Sequence, residues 1–316
     1  MSKEEPHMEN INTAGRKIIP EDEFEILEEQ LLPPVKEFKR FVRVFFKRKI
    51  VVVGFVLVVI VLLTAALADV IAPFDPYEQN LSNVLASPSG EHLLGTDALG
   101  RDLLSRIIHG TRIALIVGVC TVLISATIGT AFGLIAGFMG GKVSSLIMRL
   151  TDALIAIPSL ILMLLVASVL KYGIVGVVVA VGITMFPAYI RLINGQVMSV
   201  KQNDYVMSAR SMGAKSRRIM LKHILPNCLS PLIVMMTMMM GSSIMAEAGL
   251  SFLGLGIVPP LAAWGGMCRD GYQYLMRQPL LSIAPGFAIM LLVFAFNMVG
   301  DGLRDALDPK LRGSLD

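Results

Sequence analysis

Long apolar runs alternate with short, mostly basic polar segments, and this alternation predicts about six membrane-spanning helices in an all-α polytopic chain. The runs cover about residues 50–72, 113–139, 146–170 and 173–193, then a fifth beginning near Leu229 and a sixth over about 283–299. Most reach the ~20 apolar residues that a bilayer core demands. Ahead of the first run, Phe38, Phe41, Val42, Phe45 and Phe46 alternate at helical spacing with Lys36, Lys39, Arg40, Arg43, Lys47, Arg48 and Lys49. Residues 35–49 therefore predict a basic amphipathic helix lying along the membrane surface. Residues 1–34 are polar, with an acidic run from Glu21 to Glu29 closed by Pro33 and Pro34, and predict a solvated, partly disordered tail. Ala66 and Ala68 are spaced like a signal-peptidase site, but the apolar run before them exceeds the ~7–15 residues of a signal core, so residues 50–72 read as an uncleaved first helix.

Two polar stretches interrupt the runs most strongly. Residues 73–112 form a long polar loop, and residues 203–227 a basic island too polar to cross a bilayer. In the island, Asn203 or Asp204 can cap a short helix and Gly213 can turn the chain. A second helix carrying Lys215, Arg217, Arg218 and Lys222 is expected to stop at Pro226. The prediction is a helical hairpin outside the membrane.

Composition sets the class. Hydrophobic residues make up 54% and charged ones 16% of 316 residues, and mean hydropathy is +0.69, which leaves too little polar surface for a soluble chain of this size. A net charge of +4 could point to nucleic acid, but the cations are divided among short inter-helix segments with no aromatic-interleaved patch. Their placement fits membrane orientation instead. With both termini in the cytosol, that side receives the 36–49 cluster, Lys142, Arg191, Lys201, Arg210, Lys215, Arg217, Arg218, Lys222, Arg304, Lys310 and Arg312, while the outside keeps Arg101, Arg106, Arg112, Lys171, Arg269 and Arg277. Cys120, Cys228 and Cys268 lie in separate segments, with only Cys268 expected outside, and imply neither a disulfide nor a metal site.

Few residues carry chemistry of their own. Ala136–Val143 imitates a phosphate-binding loop but lacks the opening glycine and the closing Ser or Thr, and it follows a membrane helix; Gly254 and Gly256 lack the third glycine of a dinucleotide fingerprint. No nucleotide, cofactor or metal site is expected, and His92 and His109 read as loop or packing histidines. Asp152 is costly in a span, and Arg149 three residues earlier can share its helix face as an interior ion pair near the cytosolic end. Gly118, Ser125, Gly129, Gly133 and Gly137 allow close approach of another helix, of this chain or of a partner. The methionine-rich run from Met235 to Met245 reads as adaptable packing.

Three motifs resemble one family. Ser208, Ala209, Gly213, Leu225 and Pro226 are similar to the cytoplasmic "EAA" loop of the membrane-spanning subunits of bacterial ABC importers, with Met207 where glutamate and His223 where isoleucine are usual. Residues 92–112, with Gly95, Thr96, Asp97, Gly100, Arg101, Asp102 and Arg106, resemble the extracytoplasmic signature of the peptide and nickel branch. Residues 246–266 resemble that branch's Leu-Ser-Phe-Leu-Gly-Leu-Gly, Pro-Pro and Trp-Gly signature, with Ala262 and Ala263 where proline and serine are usual. Physically, Gly95 and Gly100 permit turns and Thr96, Asp97 and Asp102 are all helix-capping types ahead of an amphipathic stretch, while Gly254, Gly256, Pro259 and Pro260 interrupt a helix. The end of the chain, Asn297 to Pro309, also looks like the family's ending.

The resemblance implies a permease in the bacterial inner membrane that works with a second homologous permease, two cytosolic ATPases and an extracytoplasmic solute-binding protein. Its substrate would be a di- or oligopeptide, or alternatively nickel or another small solute. ATPase contact would fall on Asp204, Tyr205, Ala209, Arg210, Gly213, Ala214, Lys215, His223, Leu225 and Pro226; Asp152, Glu247, Gly254, Gly256, Pro259, Pro260 and Trp264 are candidates for a pore or gate. The domains expected are the tail (1–34), the surface helix (35–49), the first span (50–72), the outer loop (73–112) and a permease core (113–316). A secondary transporter or channel is the rival class, disfavoured by the scarcity of acidic groups in the spans; a membrane enzyme lacks a nucleophile and base.

Overall fold

The computed structural model describes residues 34–170 and 173–307, and every regular element among them is a helix. Most of the expected tail, Lys171, and the C-terminal Asp308, Pro309, Lys310 and Arg312 lie outside the described residues. Five helices are long and apolar enough to cross a membrane, and a bent pair brings the number to six.

The surface helix α1 (Pro34–Phe45) ends shortly before the first span, α2 (Lys49–Ala66). A short α3 (Ala68–Ile71) follows. Phe45 is buried, and together with Val51 it rests on Gly302 near the end of the last span, where any side chain would collide with both. An Arg48–Asp305 ion pair of 3.0 Å closes the same corner. The apolar face of α1 thus packs in part on the chain's own last span.

Helix α4 (Leu103–Met139) and helix α7 (Ile174–Val200) form the most intimate pair. Gly129 lies against Tyr189 and Phe186, Gly133 against Ile190 and Ile193, and Gly137 against Asn194 and Val197. The small-residue stripe therefore serves this chain's own fourth span; Gly118, farther along, meets Met240 and Ile244 of α10 (Leu225–Phe252). Met240 is buried, and Met235, Met236 and Met239 pack around the two apolar clusters that form the core.

The third predicted span is not continuous. It consists of α5 (Gly141–Ala156) and α6 (Ser159–Leu170), which meet at an angle of 93°. Pro158 lacks the N–H the helix needs and forces Ile157, before it, into an extended ψ of 126°. Pro187, Pro231 and Pro285, by contrast, sit inside unbroken helices. The last span is α12 (Leu280–Leu307).

The expected Arg149–Asp152 pair does not form. Asp152 instead accepts a 2.6 Å hydrogen bond from Arg191 of α7, and both side chains are about half exposed, so the pair is not interior either. Spacing along one helix allows a partner but cannot exclude a better one from a neighbouring helix.

Candidate coupling site and extracytoplasmic signature

The basic island folds as the predicted hairpin through its first half. Helix α8 (Asp204–Ser211) begins at Asn203, whose side chain makes no capping bond. It ends in a two-bond glycine cap: Gly213 N–H donates to Arg210 O at 3.0 Å and Ala214 N–H to Ala209 O at 3.1 Å. This cap requires the left-handed φ of +77° that Gly213 adopts. Val206 and Ala209 are buried and join Ile219 and Ile224 in the core, whereas Asp204, Tyr205, Met207, Arg210, Met212 and Lys215 face outward.

The second half departs from the prediction. Helix α9 (Ser216–Ile219) passes through a π turn (Met220–Ile224) directly into α10, so the arm does not stop at Pro226. Pro226 stands in the first turn of α10, where its missing N–H costs little, and the π turn accommodates the break in hydrogen-bond register. His223 is half-buried, Leu225 packs on the core and Pro226 is exposed. The hairpin is consequently an extension of the fifth span, joined to α8 by one glycine-capped turn.

On the opposite side, residues 92–112 form a hydrogen-bonded clamp. Asp102 caps α4 by accepting from Ser105 N at 2.8 Å and Ser105 Oγ at 2.7 Å, and it faces His92 Nδ1 at 2.9 Å, all in a site where Asp102 is 2% exposed. Thr96 binds the 83–86 segment and pairs with Asp102 as an isolated bridge. Asp97 accepts from Leu99 N, Arg101 N and Arg101 Nε, and Arg106 Nη1 donates to Pro76 O at 2.9 Å. Gly95 and Gly100 take φ of +82° and +71°, and Gly100 lies so close to the Asn80 backbone that no side chain would fit. Arg112 binds Asp69 and holds its carboxyl below the usual carboxylate range.

Asp102→Ala should lower folded protein sharply. It removes a cap worth about 0.5–2 kcal/mol and leaves buried His92 and Ser105 without their partner. The check is the yield and thermal stability of purified protein; wild-type values with lost activity would give Asp102 a direct functional role.

The pore candidates other than Asp152 lie around the C-terminal end of α10. Glu247 is buried inside the subunit, where Ser251 Oγ donates to its Oε1 at 2.7 Å and in turn accepts from Ile257 N at 3.1 Å. Gly254 and Gly256 fold the chain back over that helix end, Gly256 directly against Ser251, and Pro259 and Pro260 follow. Trp264 is 4% exposed; it opens α11 (Trp264–Tyr272), sits over Gly110 and donates from Nε1 to Ile107 O at 3.0 Å. Nearby, burial pushes the Cys268 thiol up to about 11, so it stays protonated and unreactive at neutral pH. Asp152 lies apart from this group, paired with Arg191 as described.

A groove that the sequence reading missed lies between the start of α6, α10 and α12. It measures about 470 Å³, and Ser159, Ser242 and Asn297 line it among the apolar Leu160, Met163, Met245 and Val293. Asn297 and Ser242 are exposed within otherwise apolar spans, and polar side chains at membrane depth are the signal that could have marked it.

Comparison with known proteins places these features in context. Residues 129–313 match the model of the binding-protein-dependent transport system inner membrane component, and residues 37–88 match the N-terminal transmembrane domain of oligopeptide transport permease C. The chain is 43% identical over 285 residues to a dipeptide transport system permease protein of Haemophilus influenzae, covering 88% of this chain and 96% of that one. It is 40% identical over 268 residues to an oligopeptide transport system permease protein of Bacillus subtilis, covering 85% and 88%. A glutathione transport system permease protein of Pectobacterium atrosepticum is 42% identical over 276 residues, covering 87% and 92%.

Proposed function

This chain belongs to the inner membrane components of binding-protein-dependent transport systems, and from that premise we propose that it is one permease subunit of an ATP-driven importer of di- or oligopeptides. It is a multi-pass subunit of the bacterial inner membrane, and ATP hydrolysis belongs to separate subunits. Its partners on this reading are a second, homologous permease, two cytosolic ATPases and an extracytoplasmic binding protein that delivers the peptide.

The observation that carries the mechanism is the continuity of α9, the π turn and α10. Displacement of α8 by an ATPase is transmitted through the Gly213 cap to a helix that runs without a break to the outer segment around Glu247 and Gly254. Outward-facing Asp204, Tyr205, Arg210 and Lys215 make the ATPase contact. Ala209, Gly213 and Ala214 shape the turn, and His223, Leu225 and Pro226 form the joint with the span. The groove of Ser159, Ser242 and Asn297 contributes this subunit's wall of the path, because polar groups at that depth are costly against lipid and suit water or a peptide backbone. Residues Gly254, Gly256, Pro259 and Pro260 form the outer gate segment, anchored by Glu247 and Trp264, with Asp152 and Arg191 at the cytosolic end. The clamp of residues 92–112 supports that gate and does no chemistry.

The test is affinity purification of the tagged chain from its native membrane, followed by reconstitution. The assembly should contain ATPases and a second permease and take up dipeptide only with ATP and binding protein. Uptake by this chain alone, or driven by an ion gradient without ATP, would refute the proposal.

A further inference from the structure

The pairing of Asp152 with Arg191 frees Arg149, and Arg149 opens onto a cleft. At the cytosolic ends of α4 and α7, a cleft of about 780 Å³ is lined by Lys142, Arg149 and Lys201 with the hydroxyls of Ser144 and Ser145, and by no carboxylate. Lys201 Nζ donates to Gly137 O at 2.9 Å, closing the last turn of α4, while neither Lys142 nor Arg149 forms an ion pair with a described residue. Three cations sharing one cleft repel one another, and an anion among them removes that cost. Gly140 and Gly141, at φ of +67° and +52°, set the first turn of α5 into the same cleft.

The rim decides which anion fits. Leu146 lines the cleft and is 61% exposed, and Met139 and Leu150, next in sequence to the lining residues Gly140 and Arg149, are 62% and 60% exposed. A free anion gains nothing from such a rim, whereas a lipid places its headgroup among the cations and its acyl chains against the apolar side chains. The lining takes Ala136, Gly137, Gly140, Gly141 and Lys142 from the stretch Ala136–Val143, whose resemblance to a nucleotide loop fails for lack of the required glycine and hydroxyl. Its glycines and lysine serve a simpler phosphate.

We propose that this cleft binds the headgroup phosphate of an anionic phospholipid of the cytosolic leaflet. The site lies where α4, α5 and α7 meet, so the lipid ties the broken third span to the tightly packed second and fourth. It depends on the inward placement of these helix ends, but not on the identity of the transported solute.

The experiment uses the assembled transporter in phosphatidylcholine nanodiscs containing a minor fraction of photoactivatable phosphatidylglycerol or, in parallel, photoactivatable phosphatidylcholine. Cross-links are mapped by mass spectrometry. Labelling of residues 136–149 should favour phosphatidylglycerol roughly 30- to 150-fold, given two to three cations near an anionic headgroup. The Lys142→Gln/Arg149→Gln double variant should abolish that preference and Arg277→Gln, outside, should leave it intact. If the double variant fails to assemble, high salt on the wild type must erase the preference instead. Equal labelling by the two lipids, or a preference that survives both treatments, would overturn the proposal. So would loss of labelling on addition of inorganic phosphate, which assigns the cleft to a free anion, or labelling seen only after the ATPases are stripped, which assigns it to a protein partner.

Discussion

Gly133→Ala should cost the protein about 3 kcal/mol, the upper end of the usual range for overpacking, because the obstruction is partly backbone. A Cβ at position 133 would stand 2.7 Å from Ile193 Cβ and 2.9 Å from Ile190 O. Neither can yield alone, since both belong to a helix held by Gly129 and Gly137 at the turns on either side. The two spans must part along the whole stripe, and in a bilayer no gain in apolar burial against lipid compensates for lost packing between helices. Gly195→Ala is the matched control: it lies on the same α7 but is exposed, with nothing within 4 Å of an added Cβ. It should be neutral or stabilising, since alanine is the better helix former by about 1 kcal/mol. Thermal stability in detergent and steady-state membrane level should fall sharply for the first variant only. An unchanged Gly133→Ala protein would mean that the pair packs more loosely than the structure has it.

That stripe shows how far the sequence could be read. Small residues at helical spacing announce a close contact, but not which helix arrives, because the partner's side of the contact (Tyr189, Ile193, Val197) consists of residues that any apolar span contains. The membrane class, the number of spans and the outer-loop cap at Asp102 were legible because each rests on local physics: apolar length, hydropathy or one side chain bonding to its own helix. The break at Pro158 was not, since Pro187, Pro231 and Pro285 look the same in sequence and leave their helices whole. The passage through Pro226 depended on a π turn that no residue pattern marks. The true partners of Asp152 and Trp264 were illegible for a common reason: Arg191 and Ile107 O are distant in sequence and reach them only once the helices have packed. The groove of Ser242 and Asn297 is likewise visible only after the spans are assembled.

The second large effect falls on coupling. Gly213→Ala should reduce ATPase association and ATP-dependent peptide uptake about tenfold while leaving membrane level and span topology near normal. Its φ of +77° costs an L-residue about 1–2 kcal/mol, and that strain is relieved by giving up the two-bond cap between α8 and α9. Insertion is unaffected, because the residue adds neither apolar length nor flanking charge to a span. An added Cβ would have nothing within 4 Å of it in this chain, so Gly213→Leu should do no more damage than alanine on internal grounds. Any further loss with leucine measures the closeness of the ATPase. Gly213→Asn, tolerant of left-handed backbone, should recover much of the activity. A fully active alanine variant would show that the turn does not need this conformation to couple.

The claim beneath these expectations is that the hairpin of residues 203–227 touches the ATPase, and photo-cross-linking from single positions in the native membrane tests it most directly. Met207 is exposed on α8 and Met276 is fully exposed at the opposite end of the molecule. A benzophenone amino acid at position 207 should give adducts with the ATP-hydrolysing subunits, increasing or decreasing with nucleotide state, and one at position 276 should give none. Adducts between position 276 and an ATPase, or a position 207 that labels only the extracytoplasmic binding protein, would contradict both the orientation and the coupling role.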